Sequence, residues 1–150
     1  MNQPRFARRS TLLVAAACVL TCACGPKTGP GVIDPDAPTE FTTTESGLRY
    51  RILRKSNRAR PLPSDRVEVD YSGWLDDGTT FDSSYARSEP ADFSLGQVVK
   101  GWSEGMQLIG EGGMIELEVP PELGYGEQGR PPKIPGNSTL HFKIELLRVL

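Results

Sequence analysis

One carboxylate set among aromatic residues is the chemistry this chain offers. Asp82 lies in the run Gly78-Thr79-Thr80-Phe81-Asp82-Ser83-Ser84, after Tyr71-Ser72-Gly73 and ahead of Val98-Val99-Lys100-Gly101-Trp102. Gly124-Tyr125-Gly126, Ile134-Pro135 and Phe142 follow. These residue types can wall an apolar pocket around a single acid. The sequence has no phosphate loop and no metal-ligand spacing, and its one histidine, His141, leaves little from which to build a nucleophile–base pair. Asp76, Asp77 and Asp82 could in principle serve a hydrolase as acid and base. Asp76-Asp77-Gly78 reads better as a hairpin turn. An apolar pocket with few polar groups suits rotation of a peptide bond better than its cleavage.

The physics of that rotation asks for little else. Resonance gives the peptide C–N bond a barrier of about 18–20 kcal/mol, and X–Pro bonds interconvert over tens to hundreds of seconds. Lowering such a barrier requires no proton transfer, only a site that binds the twisted amide better than either planar form. Taken one at a time, Tyr71, Phe81, Trp102 and Phe142 are of the types that fill cores. Asp82 could cap a turn, Tyr125 could be a turn residue, and Arg87 reads as a solvated charge. It is their occurrence as an ordered set that favours a pocket.

The elements that must hold them are mostly strands. Leu48, Tyr50 and Ile52 alternate, as do Val67, Val69 and Tyr71, then Ile115, Leu117 and Val119, and finally Leu140, Phe142, Ile144 and Leu146. Turn signals separate them at Pro61-Leu62-Pro63-Ser64-Asp65, Asp76-Asp77-Gly78 and Gly110-Glu111-Gly112-Gly113. Trp102, Met106 and Ile109 break the period of two and recur as one face of a short amphipathic helix. The expected fold is α+β, an antiparallel twisted sheet of about four to six strands wrapped on that helix. Phe142 facing the pocket would send His141 outward.

The N-terminus reads as an export signal. Arg5, Arg8 and Arg9 precede the apolar stretch Thr11–Leu20, which is shorter than the roughly 18 residues a spanning helix needs. Thr21-Cys22-Ala23-Cys24-Gly25 resembles a bacterial lipobox, with Cys24 as the lipidated residue and residues 1–23 as the signal peptide. Arg8-Arg9-Ser10-Thr11-Leu12 loosely resembles a twin-arginine signal, and the export route stays open. All three cysteines, Cys18, Cys22 and Cys24, lie in this region. Loss of its three arginines takes the net charge from −2 to −5. With acids and bases interspersed, nucleic-acid binding is not expected. Residues 24–45, rich in Pro, Gly and Thr, read as a flexible tether, and residues 46–150 as one domain.

Four blocks carry a specific resemblance: VDYSGWLDDGTTFDSS, EPADFSLGQVVKGWSEGMQLIGEGG, ELEVPPELGYGEQG and KIPGNSTLHFKIELLRV. In this order they resemble the FKBP-type peptidyl-prolyl cis–trans isomerases, in particular their exported bacterial branch. The resemblance spans Gly47 to Val149. It implies a proline pocket with aromatic walls at Tyr71, Phe81 and Phe142 and a floor at Trp102. It implies further contacts from Val98, Val99 and Ile134, a carboxylate at Asp82, and a Tyr125 hydroxyl that bonds a ligand carbonyl. Asp82, Tyr125, Phe81, Trp102 and Phe142 are the expected catalytic set. Ala91 stands where an aromatic commonly lines the pocket, and Arg130 and Lys133 where uncharged groups are often found.

The resemblance implies no cofactor and no metal. Its implied partners are proline-containing polypeptides and macrolide ligands. With no added helical arm in the chain, a monomer is expected. A lipid at Cys24 would place the protein on the membrane, at the periplasmic face of the outer membrane in a bacterium with two membranes. The rival from another class is a non-catalytic proline-binding or holdase module using the same pocket.

Overall fold

The computed structural model describes residues 29–150. The expected signal peptide and the lipid site at Cys24 lie outside the described residues. The strands are β1 (Thr42–Thr43), β2 (Arg49–Arg54), β3 (Arg66–Trp74), β4 (Thr80–Ser83), β5 (Ala91–Ser94), β6 (Met114–Val119) and β7 (Leu140–Val149). They form one antiparallel sheet of seven strands in the order β1-β2-β6-β7-β3-β4, with β5 also on β3. The count exceeds the expected four to six because the two-residue β1 and the four-residue β5 are too short to show an alternation.

Alternation decides which face is buried. Val67, Val69 and Tyr71 on β3 point into the core with Ile115, Leu117 and Val119 on β6, and with Phe142, Ile144 and Leu146 on β7. Helix α2 (Lys100–Met106) lies on this face. An added Cβ at Gly101 would stand 2.6 Å from a Val119 methyl, and one at Gly105 would stand 2.7 Å from the Leu117 methyls. The two glycines therefore set how closely helix and sheet approach. Ile109 is buried as expected but lies beyond the helix, which is capped at Gln107.

Between β4 and β5 the chain makes a single turn of helix, α1 (Ser84–Arg87), capped by the Ser83 side chain rather than by Asp82. The Asp76-Asp77-Gly78 turn joins β3 to β4 as expected. Leu75 N–H donates to the Thr79 carbonyl at 3.0 Å, and Gly78 takes the positive φ of 82° that glycine accepts without strain.

On the outer face, strand polarity is satisfied by pairing. Arg51 donates to Glu116 at 2.8 Å, and the Phe41 ring lies under Arg49 and Arg51. His141 leaves the pocket as alternation requires, though half-buried, stacking on Trp74 and bonding Asp76 at 2.6 Å. Buried Ser84 joins two elements. Its Oγ accepts from the Tyr71 N–H at 2.8 Å and donates to Asp70 Oδ1 at 2.9 Å. Replacing Ser84 by alanine is expected to lower stability by about 1–3 kcal/mol, the cost of stranding a buried amide. A shift of the urea midpoint without a change of slope would show it.

The stretch expected to be a flexible tether departs from that expectation between residues 31 and 45. Gly31 N–H donates to Glu145 Oε2 at 3.2 Å, Arg54 donates to the Val32 carbonyl at 3.0 Å, and Asp34 N–H donates to the Leu53 carbonyl at 2.8 Å. β1 then pairs with β2. Composition pointed to flexibility because the anchoring groups, Arg54 and Glu145, are supplied by distant parts of the chain.

Candidate active site

Where α2 begins, its N-terminal turn, the inner face of β3, β4 and β7, and the loop 125–135 surround a cavity of about 630 Å³. The aromatic residues reach it from different elements because each occupies a core-facing position of its strand or helix. Tyr71 comes from β3, Phe81 from β4, Phe142 from β7, and Trp102 from the first turn of α2. Gly73, beside Phe142 in the sheet register, leaves room for the rings. A Cβ there would stand 2.6 Å from Phe81 Cζ and 2.9 Å from Phe142 Cε1.

The rings meet edge to face, the arrangement their quadrupoles favour. Trp102 is at the centre, with ring centroids 5.4 Å from Tyr71, 5.4 Å from Phe142 and 5.2 Å from Phe93. Phe81 packs against Phe142 at 5.5 Å. Val98 and Val99 close one side, and Tyr125 and the buried Ile134 enter from the covering loop. All nine residues expected to bind substrate thus line one cavity.

Sequence reasoning missed Phe93. It sits two residues beyond Ala91 on β5, where the ring takes a place in the wall between Tyr71 and Trp102. The available signal was the aromatic at an alternate position of Ala91-Asp92-Phe93-Ser94, a run too short to read with confidence in its period. Gln97, Pro131 and Pro132 also line the cavity and were not singled out.

The polar side of the cavity is a three-residue network. The Tyr71 hydroxyl donates to Asp82 Oδ2, and Arg87 donates to Asp82 Oδ1 at 2.5 Å and to the Tyr71 oxygen at 3.4 Å. Arg87 is therefore more than a solvated charge. Burial works to raise the Asp82 carboxyl, but the hydrogen bonds from Tyr71 and Arg87 outweigh it and hold the pKa below the ordinary carboxylate value. Tyr71 is pushed up to about 12, first by burial and then by its bond to Asp82. Hydrogen bonds to Tyr71 and Asp82 raise Arg87 further above its ordinary value. The network thus holds a neutral phenol, a carboxylate and a guanidinium.

Nothing in this arrangement supplies a nucleophile beside a base. Among the described residues no group of three or more His, Cys, Asp or Glu could hold a metal ion. Nor, among them, is any helix long and apolar enough to cross a membrane. What the cavity offers is an aromatic-walled cleft with one ordered carboxylate, held by the Tyr71 hydroxyl, and a second tyrosine hydroxyl, that of Tyr125, on the covering loop.

Comparison with known proteins agrees with this geometry. Residues 57–147 match the family model described as FKBP-type peptidyl-prolyl cis-trans isomerase. The chain is 49% identical over 108 residues to the FKBP-type 22 kDa peptidyl-prolyl cis-trans isomerase of Escherichia coli, covering 72% of this chain and 52% of that one. The crystal structure of FkpA from Escherichia coli superposes with a TM-score of 0.72 at 46% identity, over 75% of this chain and 52% of that chain. A peptidyl-prolyl cis-trans isomerase from Pseudomonas syringae gives a TM-score of 0.69 at 31% identity, over 75% and 82%. The chain spans about half the length of the curated relatives it matches. With the fold, the aromatic cavity and the family model in agreement, the chain belongs to the FKBP-type peptidyl-prolyl cis-trans isomerase family.

Proposed function

We propose that the protein accelerates cis–trans rotation of X–Pro bonds in exported polypeptides, where isomerisation can limit folding. The observation that carries this reading is the aromatic cavity whose one carboxylate is already bonded by Tyr71 and Arg87. The proline ring sits on Trp102 between Phe81 and Phe142. Against these rings the bound amide gives up part of its hydration, which costs the charge-separated planar form more than the twisted form, so the barrier falls. The Tyr125 oxygen accepts a hydrogen bond from Arg130 at 3.1 Å, which leaves its proton to donate to a substrate carbonyl. Asp82 acts by holding Tyr71 in place and fixing the local field. It performs no proton transfer.

Following the relaxation of short X–Pro peptides with the purified protein tests this. Acceleration by the parent supports an isomerase. Binding without acceleration, across several residues before proline, would instead mark a proline-binding module. Asp82→Asn, which keeps the shape but not the charge, is expected to lower kcat/KM about tenfold, or about 1.4 kcal/mol. Full activity in that variant would remove Asp82 from the mechanism.

The network also sets the pH response. The depressed Asp82 value contributes stability above the ordinary carboxylate pKa of about 3.9, lost as pH falls through the lower folded value. The raised Tyr71 value contributes below the ordinary phenol pKa of about 10, lost as pH rises toward about 12. The rate of isomerisation is therefore expected to be flat from about pH 5 to about pH 9. A bell-shaped profile centred near neutrality would contradict this assignment of charge states.

The lipobox-like run Thr21–Gly25 supports anchoring through Cys24 at a membrane surface. With docking beginning at Gly31, only residues 25–30 separate lipid from domain, so Cys24 and Gly31 can lie at most about 25 Å apart. Macrolides are the second ligand class for this cavity, and Arg130 and Lys133 in its lining, where uncharged groups are often found, count against tight binding of them.

A further inference from the structure

The mouth of the cavity carries a charge imbalance that the aromatic walls do not use. Asp82, Arg130 and Lys133 are its charged lining residues. The Asp82 carboxylate is matched by Arg87 at 2.5 Å. Its field also reaches Arg130, but among the described residues no second carboxylate lines the cavity to match Arg130 and Lys133. Arg130 donates to the Tyr125 hydroxyl oxygen and lies with its guanidinium carbon 5.8 Å from the centroid of that ring. Lys133 donates to the Phe81 carbonyl at 3.2 Å. Both acceptors are neutral, so neither bond cancels a charge. Neither cation joins an ion pair among the described residues. The chain as a whole is net negative, at −2, so the positive mouth is a local feature.

The loop that presents these cations is pinned. Arg130 and Ile134 exchange backbone hydrogen bonds of 2.8 and 3.1 Å, closing the segment around Pro131-Pro132. Proline fixes φ at two of the three intervening positions. Gly129, at φ 61°, lets the backbone enter beside the Ile134 carbonyl. Ile134 is buried at one end, so Arg130 and Lys133 project from a backbone anchored to the core.

We propose that this mouth selects proline-containing segments with an acidic side chain next to the proline, Arg130 and Lys133 receiving its carboxylate. The proposal rests on reading the cavity as the X–Pro site and names the substrate class that site prefers. A prolyl ring seated on Trp102 leaves its neighbours in sequence at the mouth. A carboxylate there gains charge-assisted hydrogen bonds that an amide of equal size lacks. A lysine there meets two like charges. Because both cations are partly solvated, the preference is modest and salt-sensitive.

The test uses the full chain and peptides with Glu, Gln or Lys immediately before proline and Ala, Glu or Gln immediately after it, at low and high salt. At low salt kcat/KM is expected to be about three- to fivefold higher for Glu than for Gln in at least one of the two positions, with Lys before proline slowest. High salt should bring the Glu-to-Gln ratio toward one, as should Arg130→Gln/Lys133→Gln. Arg130→Glu/Lys133→Glu should reverse the order. Should the variants misfold, the salt dependence of the parent still decides. Equal rates for Glu and Gln in both positions would overturn the selective mouth and leave the isomerase intact. If no peptide were accelerated, the isomerase reading would fail, and binding of the same peptides followed by tryptophan fluorescence would decide the mouth separately. Tighter binding of a Glu peptide than its Gln counterpart would support it, and equal binding would overturn it.

Discussion

Truncating Trp102 to alanine is expected to destabilise the domain by about 3–5 kcal/mol and to bring isomerisation close to the uncatalysed rate. The indole is the shared partner of three rings, Tyr71, Phe93 and Phe142, and no other residue of the cavity touches so many. Its removal leaves a void at the base of the proline site and frees the rings above it to collapse. The stability loss and the activity loss have separable causes. The buried indole N–H has no hydrogen-bond partner among the described residues, so Trp102→Phe gives up packing without stranding an acceptor. That variant should retain the fold with a stability loss smaller than that of alanine, and isolates the floor's contribution to rate. Urea denaturation and peptide relaxation on both variants provide the comparison. An alanine variant within 1 kcal/mol of the parent would show that the ring cluster repacks around the gap, and the floor would have to be placed elsewhere.

Gly101→Val is expected to cost about 3 kcal/mol or more, which for a domain of this size is a fall in Tm of at least about 10 °C. The added Cβ would lie 2.6 and 2.9 Å from the two methyls of Val119, a residue with no exposed surface. A β-branched side chain has little torsional freedom to retreat. Alanine at the same position gains about 0.8–1.0 kcal/mol of helix propensity, less than the upper part of the overpacking range of about 1–3 kcal/mol. A net loss of about 1 kcal/mol follows. Gly105→Ala should be milder, because Leu117 can turn about a second side-chain torsion. Thermal unfolding of the three variants gives the order Gly101→Val, Gly101→Ala, Gly105→Ala from most to least damaging. Activity should fall in the Gly101 variants beyond what their stability explains, since Trp102 is the next residue on the displaced helix.

Much of the architecture could be read where one face is buried along a whole strand. Leu140, Phe142, Ile144 and Leu146 announce β7 because every second residue meets the core. The hairpin at Asp76-Asp77-Gly78 was legible because its turn chemistry is local. Phe93, by contrast, belongs to a four-residue strand in which period two has no room to repeat. Ser84 and Asp70 were invisible as a pair because a polar residue in or beside a strand normally faces water, whereas these two satisfy one another in the interior. The docking of residues 31–45 depends on the side chains of Arg54, Lys55 and Glu145, whose charges say nothing in sequence about what they will hold. The site was more legible than its surroundings because its residues fall in contiguous motifs. The orientation of Arg87 toward Asp82 emerges only when α1 packs against β3.

The position of β7 has a consequence for the order in which the molecule can be built. It is the last strand of the domain to be synthesised, yet it lies in the middle of the sheet, between β6 and β3. Until residues 140–149 have left the ribosome, β1-β2-β6 and β3-β4-β5 are two part-sheets with no strand to join them, and Phe142 is missing from the cavity. The pairings that join these halves, β7 with β3 and β7 with β6, are deferred to the end of the domain's synthesis, the situation in which non-local topology slows folding. A protein that would assist the folding of others therefore completes its own fold only as its final strand arrives.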